Sequence, residues 1–101
     1  MVKHIILWQI KDEFSEDEKR KIREDVKAGL EGLAGQIPGL LNIHVQTEYL
    51  STSNADMMLY SEFTDEAALK TYAGHPLHVA VADGKVRPFV KSRVCMDYDA
   101  Y

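Results

Sequence analysis

Apolar residues recur along this chain with two periods, and the switches between them delimit the elements. Val2 to Ile10 alternates with period two: His4, Ile6, Trp8 and Ile10 share one face, and Lys3, Ile5, Leu7 and Gln9 the other. Both faces are apolar at their centre, the pattern of a strand covered on both sides. Ser15 and Glu18 then have capping-box spacing, and the acidic residues at 16–18 suit the positive end of a helix dipole. Ile22, Val26, Leu30, Leu33 and Ile37 follow at intervals of three and four, which predicts an amphipathic helix ended by Pro38-Gly39. Gly29, Gly32 and Gly35 lower helix propensity in its second half, where close packing or fraying is expected.

Period two returns at Leu41 to Tyr49. Leu41, Ile43, Val45, Thr47 and Tyr49 lie on one face of a half-buried strand near an edge, and His44 lies on the polar face, in solvent. After a polar loop, Asp56 to Phe63 predicts a third strand with Met57, Leu59 and Phe63 on one side and Met58, Tyr60 and Glu62 on the other. Thr64 is the expected N-cap of a second helix carrying Ala67, Ala68, Leu69 and Tyr72. Gly74 stands where a left-handed C-cap is expected, and Pro76 suits the first turn of a short helix reaching Val86. Pro88 stops it. A last strand runs from about Phe89 or Lys91 to Tyr98, with Val94 and Met96 toward one side, and Asp97 to Tyr101 reads as a short tail.

The resulting order, β-α-β-β-α-β, predicts an α+β fold of the ferredoxin-like kind: one antiparallel four-stranded sheet with helices on one face. The uncovered face carries apolar side chains from the first and third strands and needs a partner. A second copy of the chain supplies it, so the expected assembly is a homodimer closing a dimeric α/β barrel.

Composition narrows the function. The 101 residues make one domain, 1–101, with a modest core that association would help to stabilise. A net charge of -4 leaves no basic footprint for nucleic acid. No apolar run reaches the length of a membrane span. The single Cys95 excludes an intramolecular disulfide and suits a reducing compartment. Within Val94-Cys95-Met96 it reads as a small buried hydrophobe rather than a nucleophile. Met1-Val2-Lys3-His4 leads straight into a strand without the regions of a signal peptide, so the expected location is cytoplasmic.

The candidate chemistry lies in Tyr72-Ala73-Gly74-His75-Pro76-Leu77-His78, which puts a phenol and two imidazoles within seven residues. The break between helices lets Tyr72 and His78 point into one space. A neutral imidazole accepts a proton near pH 7, and a tyrosine hydroxyl donates to a carbonyl or enolate oxygen. Facing an apolar cavity, they form a minimal kit for proton abstraction beside a carbonyl. On residue chemistry alone, a capped turn with a buried tyrosine is the simpler reading. A metal site built from His4, His75 and His78 lacks the tight paired-ligand spacing of zinc motifs, and no metal is expected.

The opening Val2-Lys3-His4-Ile5-Ile6-Leu7-Trp8, the Lys11-Asp12-Glu13 segment before a capped helix, and the His-Pro-x-His turn followed by Val79 together resemble the stress-responsive dimeric α/β-barrel (Dabb) family over essentially the whole chain. The resemblance implies a homodimer with a pocket in each subunit between sheet and helices, taking a small apolar carbonyl or phenolic ligand. The turn and the Val-Lys-His opening are most similar to the polyketide cyclase branch of the family. That likeness implies His78 as general base, Tyr72 as hydrogen-bond donor, His75 as holder of the turn, and a pocket lined by His4, Ile6, Trp8, Ile22, Val26, Leu59 and His75. It implies no metal or organic cofactor. Ile22 and Val26 stand where the cyclases carry bulky aromatics, and Trp8 is larger than their aliphatic residue, which implies a differently shaped cavity. Many family members have no assigned reaction, and the expected role ranges from ligand binding or stress-related assembly to cofactor-independent cyclase, isomerase or monooxygenase chemistry.

Overall fold

The computed structural model describes residues 1–100; Tyr101, the last residue of the expected tail, lies outside the described residues. In chain order the elements are β1 (Val2–Ile10), α1 (Glu16–Glu31), β2 (Leu40–Gln46), β3 (Met57–Phe63), α2 (Glu66–Gly74), α3 (Pro76–Val81), one π-helical turn (Ala82–Val86) and β4 (Val90–Asp99). The strands form a single sheet in the order β2-β3-β1-β4, every pair antiparallel. This is the ferredoxin-like arrangement that the periodicity predicts.

Alternation sorts the strand residues between two faces. Val2, His4, Ile6, Trp8 and Ile10 of β1 are buried beneath the helices, as are Ile43 and Val45 of β2 and Met57, Leu59 and Phe63 of β3. Ile22, Val26 and Leu30 of α1 close over them. Each apolar side chain among them contributes roughly 1.5–3 kcal/mol on leaving water. Among the described residues nothing covers the other face: Leu7, Val94, Met96 and Tyr98 are exposed, with Val94 at 63% and Met96 at 66%.

The first helix is capped as its spacing requires. The Ser15 hydroxyl accepts from the Glu18 amide, and the Glu18 carboxylate accepts from the Ser15 amide at 2.8 Å. The helix stops at Glu31, earlier than its apolar stripe, and Gly32 caps it. Leu33 and Ile37 remain buried from the turns that follow. Gly29 permits close approach there: a Cβ on it would lie 2.9 Å from a Val81 methyl of α3. Gly39 has φ +81, and a Cβ there would sit 2.5 Å from the Cβ of Ala68 on α2. Only glycine meets both demands.

Four local expectations are corrected. In β2 the register shifts between Leu40 and Asn42, so Leu40 packs inward and Leu41 is exposed. A bulge of this kind displaces one residue from the alternation. β2 also ends at Gln46 rather than Tyr49, because Gln46 pairs with Met58 and β3 supplies only Met57 beyond it. The N-cap of α2 is Asp65, whose carboxylate accepts from the Ala68 amide at 2.8 Å, and not Thr64. β4 continues to Asp99, taking in residues expected in the tail, because Val2 pairs with Asp99 and prolongs the ladder.

Candidate functional site

The break between α2 and α3 is built by His75. Gly74 is the last residue of α2 and has no positive φ, so the left-handed cap expected of it is absent. His75 is extended instead, at φ -68 and ψ 133, as a residue before proline prefers. Its Nδ1 accepts from the Leu77 amide at 3.1 Å and caps α3. Two short helices thereby meet at an angle, with Tyr72 on one and His78 on the other.

Tyr72 is 1% exposed. Its ring packs on Phe63, centroids 5.0 Å apart, and meets His4 edge-on at 6.1 Å. The His78 ring lies across it at 4.1 Å, tilted by 35°. The Tyr72 hydroxyl is buried and, among the described residues, has no hydrogen-bond partner. Burial pushes its ionisation well above the usual phenol range, so it stays protonated and remains a donor.

His78 is half-buried. Its Nδ1 lies 3.2 Å from the carbonyl oxygen of Ala73. A carbonyl only accepts, so Nδ1 carries the proton and the neutral ring keeps its lone pair on Nε2. Burial, foremost, lowers the proton affinity of His78; the Ala73 carbonyl works against this, while Arg87, His4 and Arg93 work with it. The ring is therefore neutral at pH 7.

These groups line a cavity of about 180 Å³ between sheet and helices. His4, Ile6, Trp8, Leu59, Tyr72 and His78 all stand on its wall. Three residues expected there do not. Ile22 and Val26 are buried in the core nearer the start of α1, and Leu30, one turn further on, lines the cavity in their place. His75 serves the turn and is absent from the wall. Arg87 and Arg93 also line it and were not anticipated, since an arginine in a polar stretch carries no signal of a pocket.

His4 also faces a second, more open cavity of about 600 Å³, walled by α2 on one side and β4 on the other. His4 is paired through Nδ1 with the Asp97 carboxylate. The Cys95 sulfur lies 3.7 Å from the same nitrogen and 3.5 Å from the Asp97 oxygen. Cys95 is exposed, contrary to the buried role expected of it, because β4 is an edge strand that the helices leave partly open. Burial and the neighbouring Asp97 push the Cys95 thiol up, keeping it protonated to higher pH.

Fold and cavity together define a small ferredoxin-like domain with a pocket under its helices. The family described as "Stress responsive A/B Barrel Domain" (Dabb) matches residues 2–100, and the chain belongs to it. A dimeric ferredoxin-like protein of unknown function from Bacteroides fragilis is 32% identical, with a TM-score of 0.91 over 98% of this chain and 95% of that one. A dimeric ferredoxin-like protein of unknown function from Thermobifida fusca is 25% identical, with a TM-score of 0.82 over 98% and 90%. A hydroxynitrile lyase from Passiflora edulis shares the fold at 18% identity, with a TM-score of 0.71 over 96% and 90%. No curated protein matches the sequence. Among the described residues, no helix is long and apolar enough to cross a membrane.

Proposed function

We propose that this protein is a homodimer that binds a small, single-ring carbonyl or phenolic compound in the cavity beneath α2 and α3. The carrying observation is the Tyr72 hydroxyl, buried at the wall of that cavity without a partner among the described residues. An unsatisfied buried hydroxyl costs about 1–3 kcal/mol, and a ligand oxygen would recover it. The size agrees, since a dry cavity of about 150 Å³ holds benzene. The same volume argues against a long-chain polyketide. Self-association would cover Leu7, Val94, Met96 and Tyr98, and the two relatives described as dimeric support it. A reducing cytoplasm suits the single free thiol.

A thermal-shift screen of phenols, single-ring ketones and fatty acids tests the reading. Phenols or ketones should raise the melting temperature of the native protein, since a ligand held only by the folded state stabilises it by mass action. Tyr72→Phe should abolish that shift while leaving the ligand-free protein as stable as before or more so. Equal shifts in both proteins, or no hits, would refute the pocket.

One observation favours a second reading, a cofactor-independent proton-transfer enzyme. The bond from His78 to Ala73 presents a neutral imidazole with a free Nε2 beside a tyrosine donor. His78 would abstract a proton next to the carbonyl that Tyr72 polarises. Exchange of the α-hydrogens of a bound ketone for deuterium, lost in His78→Gln while binding persists, would distinguish catalysis from binding alone.

A further inference from the structure

We propose that His4, Cys95 and Asp97 form a transition-metal site, with zinc as the fitting ion, at the inner end of the second cavity. The site does not rest on the ligand reading above, but the two cavities adjoin, with His4 and Arg93 on the wall of both.

The three residues come from two paired strands. β1 and β4 are antiparallel, with His4 opposite Asp97 and Ile6 opposite Cys95. Cys95 and Asp97 are two apart on β4, so both side chains emerge on the face that bears His4. One ligand atom from each lies within 4.8 Å of the others. A thiolate, an imidazole and a carboxylate are the three ligand types that zinc takes, and two anions balance its charge.

The distances also fit. Zinc bonds of about 2.3 Å to sulfur and about 2.0–2.1 Å to nitrogen or oxygen place neighbouring tetrahedral ligands roughly 3.3–3.6 Å apart. The His4 Nδ1 to Cys95 Sγ separation is 3.7 Å, and Cys95 Sγ to Asp97 Oδ1 is 3.5 Å. Two edges of the tetrahedron are thus already set. The third, from His4 Nδ1 to Asp97, is closed by the hydrogen bond between them. The ion would take the place of the proton in that bond, which would move to Nε2 of His4, and would release the proton of the thiol; the carboxylate would turn outward slightly. Asp97 is partly exposed, which leaves it room to do so.

Three protein ligands leave a fourth position open, as in catalytic rather than closed structural zinc sites. It faces a cavity whose wall sets Lys70 and Arg93 beside Glu66 and Asp99, so its polar, mixed-charge lining suits a water as the fourth ligand. His4 lines both cavities, so metal on Nδ1 would hold its remaining proton on Nε2.

Titration of the metal-free, full-length protein with cobalt and then zinc tests the proposal. One cobalt per chain is expected, with a thiolate-to-cobalt charge-transfer band in the ultraviolet and visible bands of four-coordinate intensity; zinc should remove both. Cys95→Ala should abolish the ultraviolet band and weaken zinc at least a hundredfold by calorimetry. Asp97→Asn should weaken it about tenfold or more. His44→Ala, on the opposite face of the sheet, should change neither. Cys95 and Asp97 are on an edge strand and not buried, so both variants should melt, metal-free, close to the native protein. Absence of binding, a cobalt spectrum without the thiolate band, or unchanged zinc affinity in Cys95→Ala would each overturn the site.

Discussion

The two faces of the sheet start from similar residues and end in different states. On β1, Ile6 and Trp8 point under the helices, while Ile5 and Leu7 point the other way. Ile6 is buried on the helical side; Leu7 is exposed. The inner face is covered within the chain and keeps two cavities beside His4, whereas the outer face extends its apolar band across β3 and β4 through Met58, Val94 and Met96. A period-two strand that is apolar on both sides thus signals two covers. In a chain of this length, one of them has to come from outside.

Substitutions on each face should separate these roles. The largest effect belongs to the inner face. Leu59→Ala removes a fully buried side chain and should destabilise the fold by about 2–5 kcal/mol in urea unfolding. A loss below about 1 kcal/mol would mean that the inner core is looser than described. Met96→Lys on the outer face should instead leave secondary structure intact and weaken self-association at least thirtyfold, about 2 kcal/mol, in analytical ultracentrifugation. A native protein that is already monomeric at micromolar concentration would break the comparison outright.

The smallest expected effect is the pH response of His78. Its folded-state proton affinity lies below the ordinary value of 6.5, chiefly through burial, so folding favours the neutral ring. The resulting stability is complete above the unfolded-state pKa and declines as pH falls through it toward the folded value. Between pH 7.5 and 5, the native protein should therefore lose more stability than His78→Gln. Half exposure of the ring keeps the difference small. An equal loss in both proteins would remove His78 as a neutral base.

Much of this was legible from residue order. Local spacing carries a strand or a helix, so β1, the capping box at Ser15 and Glu18, the position of β3 and the turn at His75-Pro76 could all be read directly. The pairing of Tyr72 with His78 followed from the same stretch, because both lie on short helices joined by one residue. What spacing could not carry was any displacement imposed by a neighbour. The bulge that turns Leu41 outward depends on how β2 meets β3. The choice of Leu30 over Ile22 and Val26 for the cavity wall depends on where along α1 the short helices cross it.

The sequence by itself determined the element order, the apolar stripe of each element and, through them, a sheet with one face left bare. Only the tertiary structure decided which polar groups meet. Cys95 and Asp97 are separated from His4 by about ninety residues and share no local motif with it; antiparallel pairing of β4 against β1 brings them to one point. Periodicity is a property of neighbours along the chain, while register between strands is set by the whole core closing at once.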